Sequence, residues 1–199
     1  MSMNKSRVEA FTDAVVAIIM TIMILEFKTP ETDRWSGIIA EVPYLFAYIV
    51  SFIFIAVAWY NHHYMFAIAK RITKKIYWVN NFWIFTMSLL PVSTAWAGRY
   101  LNSRAPEYFY LVVFLLWGFA YQWLSKAIID EHATKDANHV ADRVRRMAPY
   151  RVMHSWMYPI MIIFIGIAVL SVPILGIISS LIWLIMMGIL TTKDSDQLF

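Results

Sequence analysis

Between Val152 and Thr192 the chain carries no Lys, Arg, Asp or Glu. As one helix this run would be roughly 60 Å long, about twice the hydrocarbon thickness of a bilayer. It has to fold back as two membrane spans, expected over 152–170 and 173–191. Ser171-Val172-Pro173 is the natural turn, because proline cannot continue a helix interior. A chain with such a hairpin belongs in a membrane. Composition agrees: of 199 residues 60% are hydrophobic and only 15% charged, too little charge to cover a soluble surface.

Four further segments are long and apolar enough to cross, at 7–27, 42–68, 76–100 and 108–129. Pro30 lies in the polar stretch that ends the first, and Lys70-Arg71 close the second. Pro91 inside the third predicts a kink. The first resembles a signal peptide, with Lys5 and Arg7 before an apolar run. It ends in Leu25-Glu26-Phe27-Lys28 without a small-residue cleavage site, so it reads as a retained span. Trp35, Tyr44, Trp78, Trp96, Tyr100, Tyr108, Trp123 and Trp156 fall near span ends, where amphipathic rings favour the interface. The expected fold is all-α: a polytopic membrane protein with six transmembrane helices in one domain, 1–199, without internal repeats.

Loop charge orients these spans. Of the 17 Lys and Arg, 13 fall on the side of the N-terminus, the 2–3 and 4–5 loops and the tail, and 4 on the other. The richer side is expected to be cytoplasmic, with both termini there. This asymmetry accounts for the net charge of +4 without nucleic acid as a partner. With no cysteine there is no disulfide and no thiolate metal site. After the fourth span, Ala133, Ala137, Val140, Ala141, Val144 and Met147 recur at helical spacing with charge between them. That pattern fits an amphipathic helix on the membrane surface, or a solvated extension of a neighbouring span.

Three polar clusters interrupt the spans: Arg7 to Asp13, Asn61-His62-His63, and Asn80-Asn81. Each lies roughly 8–10 Å from flanking basic residues on the same side, so all three share one depth and can bond across helices. They are either a polar knot that orients span 1 or a proton relay or gate, intramembrane ionisable groups being functional candidates by default. Adjacent histidines diverge by about 100° on a helix, and no third ligand converges on them, so no metal is expected. Ile18, Ile22 and Leu25 stand at i, i+4 and i+7 on one face of span 1, with Thr21 beside it. Such a stripe can face lipid, a protein core or a conduit. One helix cannot enclose a conduit, so a pore there needs several copies. No TVGYG-type loop is present to supply a carbonyl filter.

Arg7-x-x-x-Phe11-Thr12-Asp13 resembles the RxxxFSD signature that opens the first helix of the endolysosomal potassium channel family and its prokaryotic homologues. Asn61-His62-His63 in span 2, Ser88-Leu89-Leu90-Pro91 in span 3 and the six-span layout are similar too. Thr12 replaces the usual serine and keeps the hydroxyl; Ala14 stands where glycine is common. The resemblance implies a homotetramer in a prokaryotic cell (inner) membrane, with the first helix of each subunit lining a central pore. It implies apolar constriction rings at Ile18, Ile22 and Leu25, and Thr21 as a polar coordination ring. Permeant K+ is then the expected ligand, with no cofactor and no catalysis. Glu26 would place carboxylates at the outer mouth, or else is an interfacial charge paired with Lys28. Arg7, Phe11, Thr12, Asp13, Asn61, His62, His63, Asn80 and Asn81 would anchor span 1 and set the gate.

Two other readings remain. Asp13 with His62 or His63 could relay protons in a proton channel or proton-coupled transporter. Asp130-Glu131-His132 and His139 could serve an integral membrane enzyme, although their spacing matches no known site and solvated loop charge is the simpler expectation.

Overall fold

The computed structural model describes residues 4–133 and 138–190. Lys135, Ala137, Thr191, Thr192 and Lys193, used above, lie outside them. Every regular element among the described residues is helical. In order these are α1 (Lys5–Ile22), a 3-10 turn (Met23–Glu26), α2 (Trp35–Ala40), α3 (Val42–Ile68), α4 (Lys74–Ser88) and α5 (Leu90–Arg99). Then come α6 (Arg104–His132), α7 (Asn138–Arg146), α8 (Ala148–Met153), α9 (Met157–Ser171) and α10 (Leu175–Leu190). Among the described residues three stretches are long and apolar enough to cross a membrane: Lys5–Glu26, Val42–Ile68 and Arg104–His132.

Local chemistry sets the boundaries. Asn4 caps α1 by accepting from the Arg7 N–H at 3.3 Å, and Thr73 caps α4 by accepting from the Ile76 N–H at 3.3 Å. The kink expected at Pro91 is a break at Leu89, between α4 and α5. Proline has no N–H to give and its ring crowds the preceding turn. Hydroxyls take up carbonyls beside the break: Thr86 donates to Trp83 O and Ser88 to Phe85 O, each at 2.7 Å. The turn between α9 and α10 falls at Val172–Ile174. These two helices have 15 and 16 residues, about 23 Å each.

Helix ends differ from several of the expected span bounds. The polar stretch after span 1 contains the short helix α2. The segment beginning at Val152 is divided, because α8 precedes α9 as a separate helix. α6 runs from Arg104 to His132, beyond both expected ends of 108–129. α7 is amphipathic as expected, but it does not rest on the membrane surface by its apolar face. Val140, Ala141 and Val144 are buried, with α7 packed on α6.

α1 packs on α3, α4 and α5, while α9 and α10 pack on α6, and α10 also on α3. The seam of α3, α6, α9 and α10 is aromatic: Phe54 meets Trp117 edge-on at 4.6 Å, and Trp183 stands 6.2 Å from Phe114 and 5.9 Å from Tyr158. Gly98 lets α5 approach α3, since a Cβ there would stand 2.9 Å from Ala47 Cβ and 3.0 Å from Tyr44 Cα.

Candidate functional site

α1 has two contrasting faces. Val16, Ile19 and Met23 are 2%, 4% and 1% exposed and join the core; Val8 and Thr12 continue that stripe. On the other face Ile18, Ile22 and Leu25 are 55%, 42% and 77% exposed, and Thr21 and Phe11 are exposed with them. Among the described residues nothing in the chain covers the sequence-predicted stripe. Thr21 donates its hydroxyl proton to its own helix, to Ala17 O at 3.1 Å or Ile18 O at 2.9 Å, which leaves the oxygen free to accept.

The buried face is held at three levels. At the N-terminal end Lys5 Nζ donates to Ala67 O at 2.9 Å, one of the carbonyls left open by the C-terminus of α3. At the other end Tyr44 donates to Met23 O and Arg99 to Glu26 O, again carbonyls that a helix terminus leaves unpaired. Between them lies the polar knot. Asn80 Nδ2 donates to Thr12 Oγ1 at 2.8 Å, and Thr12 donates to Val8 O at 2.9 Å. The Asn80 amide oxygen then faces His62 Nε2 at 2.7 Å, which assigns the ring proton to Nε2. The His62 ring is stacked between Trp83 at 4.4 Å and Phe66 at 4.2 Å. Asp13 Oδ1 accepts from Trp59 Nε1 at 2.8 Å. Each interhelical bond of this kind contributes about 0.6–2 kcal/mol.

Not every residue of the expected cluster joins the knot. Asn61 and Asn81 donate to carbonyls of their own helices, Val57 O and Tyr77 O, at 2.8 Å each. The His63 ring lies 5.4 Å from that of Trp59, the residue that donates to Asp13. The Arg7 side chain is exposed. Glu26 does not pair with Lys28; its partner is Arg99, at 3.8 Å. Among the described residues no group of three His, Cys, Asp or Glu could hold a metal.

Sequence reasoning missed three features. The Trp59 N–H is one, an indole donor hidden in an apolar helix. The second is a hydroxyl layer joining four helices: Thr94 donates to Ser51 at 2.8 Å, Ser51 meets Tyr110 at 3.1 Å, and Tyr110 meets Ser180 at 3.0 Å. The third is Glu107, fully buried, which accepts from the Ile177 N–H at 2.9 Å and so caps the first turn of α10. Gly176 makes room for it, since a Cβ there would collide with the Glu107 carboxylate.

The acidic-His segment at the end of α6 is not solvated loop. His132 is buried; Nε2 accepts from the Lys70 N–H at 3.0 Å and Nδ1 donates to Ile128 O at 2.8 Å. Glu131 pairs with Arg71, and Asp130 with Lys75 at 3.8 Å. These contacts pin the end of α6 to the α3–α4 connection.

Residues 7–91 match the family described as Endosomal/lysosomal potassium channel TMEM175. A potassium channel of a Chryseobacterium species is 39% identical over 127 residues, covering 64% of this chain and 66% of that one. One from Streptomyces collinus is 34% identical over 119 residues, covering 57% and 58%. The aligned part thus takes in only about two thirds or less of the length of these relatives. The human endosomal/lysosomal proton channel TMEM175 is 30% identical over 103 residues, 20% of its length. A crystal structure of a lysosomal potassium-selective channel TMEM175 homolog from Chamaesiphon minutus superposes with TM-score 0.75 over 93% of this chain and 96% of that chain. At 24% identity this likeness establishes the fold.

Proposed function

We propose, from the premise that this chain is a homologue of the endosomal/lysosomal potassium channel TMEM175 family, that it conducts potassium passively through a pore made by four copies. The observation that carries the reading is the divided character of α1. Three levels of bonding hold one face, while Ile18, Ile22 and Leu25 on the other remain exposed. Closed rotational symmetry turns such a face toward its own copies. Six crossings per subunit and cytoplasmic termini complete the arrangement.

Rings of Ile18, Ile22 and Leu25 form narrow apolar constrictions that block ions by excluding water. A small rotation or dilation of α1 admits water and opens the path. Thr21 oxygens, with their protons committed to the helix, offer acceptors to a partly dehydrated cation. Glu26 raises cation concentration at the outer mouth, moderated by Arg99 beside it. The Asn80–Thr12 and Trp59–Asp13 bonds fix the inner half of α1 and so set the resting width. Purified protein in planar bilayers under a potassium/sodium gradient is expected to reverse near the potassium equilibrium potential. A reversal near zero overturns potassium selectivity.

Proton conduction is the second reading, favoured by the polar chain His62–Asn80–Thr12 beside Asp13 and by the similarity to the human endosomal/lysosomal proton channel TMEM175. The direction of the bonds weighs against a relay. Thr12 commits its proton to the Val8 carbonyl, which cannot pass one on. Asp13→Asn separates the two: it keeps an acceptor for Trp59 and is expected to leave potassium current intact, whereas a relay through Asp13 loses its pH-driven current.

A further inference from the structure

A cavity of about 450 Å³ opens at the end of the molecule that carries α8, where α9 begins and α10 ends. Its walls are Met157 and Met161 of α9 and Met186 and Leu190 of α10, with Tyr158 and Val152. Arg151 lines it too, exposed and, among the described residues, paired with no carboxylate. The size suits a small-molecule site, and three of the walls are methionine, a flexible side chain that adapts to irregular apolar guests. Trp156, 75% exposed beside the cavity, marks the level of the membrane interface. α9 and α10 pack on α6, away from the open face of α1 that the pore reading uses.

We propose that this cavity is a binding site for an anionic phospholipid, with the phosphate on Arg151 and an acyl chain along the methionine-lined wall between α9 and α10. The charge argues for the occupant. A guanidinium with no carboxylate partner among the described residues, set over an apolar slot at interface level, complements a lipid phosphate, and it matches phosphate oxygens in a bidentate fork. A zwitterionic headgroup carries its own cation, which offsets that attraction. The site does not depend on the pore, so either can fail without the other.

Native mass spectrometry of the full-length protein, equilibrated with phosphatidylglycerol or phosphatidylcholine of identical chains, tests this. The intact protein is expected to retain phosphatidylglycerol preferentially. Arg151→Gln is expected to weaken that retention about five-fold, the effect of one interfacial charge. Arg143→Gln, which removes the same charge from outside the cavity, is expected to have little effect. Met161→Trp, which fills the slot and spares Arg151, is expected to reduce retention as well. Equal retention of the two lipids, equal losses in Arg151→Gln and Arg143→Gln, or full retention in Met161→Trp overturns the site. So does increased phosphatidylglycerol retention after removal of residues 191–199, because the tail would then be the natural occupant.

Discussion

The two faces of α1 are built from the same kinds of residue and treated in opposite ways. Ile19 is buried and Ile18, its neighbour, is half exposed; Met23 is buried and Leu25 almost free. Hydrophobicity does not separate them. What separates them is polar anchoring, since bonds from Thr12, from Asp13 and from the helix ends fix α1 to α3, α4 and α5. Apolar contact in a bilayer is a weak guide to helix orientation, because lipid tails are as apolar as leucine. Hydrogen bonds at Thr12 and Asp13 therefore decide which way α1 is turned, and the Ile18 face follows as a consequence.

That contrast can be broken from either side. The largest effect is expected on the open face: Ile18→Asn should hydrate the constriction, raise single-channel current about tenfold, equivalent to ~1.4 kcal/mol of barrier, and relax potassium-over-sodium preference. Unchanged currents would mean that Ile18 does not face the conduit. On the closed face, Asn80→Leu removes the partner of both His62 and Thr12. Leaving a buried donor unpaired costs about 1–3 kcal/mol, read as a lower unfolding temperature in detergent, and the loosened α1 should alter gating. Glu107→Ala lies away from both faces and strips the cap from α10. It should cost about 1 kcal/mol while leaving selectivity unchanged. Smallest is Asp13→Asn, which preserves the acceptor for Trp59 and should shift stability by less than about 1 kcal/mol.

Much of this arrangement was legible from spacing alone. The charge-free run from Val152 required a hairpin, and the helical rise placed Thr12, His62 and Asn80 at one depth. Choice of partner was not legible. Asn61 and Asn81 have the same chemistry as Asn80 but lie on helix faces where their own carbonyls are the nearest acceptors. Glu26 sits two residues from Lys28 in sequence, yet the chain turns it toward Arg99, a contact that only tertiary packing creates. Nothing near Glu107 in the sequence marks it; its burial depends on α10, seventy residues away. His132 read as loop because charge surrounds it, whereas α6 simply continues through the charged stretch to a buried end.

The central claim is that the exposed face of α1 meets its own copies. The chain has no cysteine, so a single introduced thiol reports without background. Disulfide cross-linking of Leu25→Cys in reconstituted bilayers, with Ile19→Cys as the buried control, is the direct measurement. The account predicts covalent dimers of Leu25→Cys and none of Ile19→Cys. Monomeric Leu25→Cys that reacts only with lipid-soluble thiol reagents would contradict it.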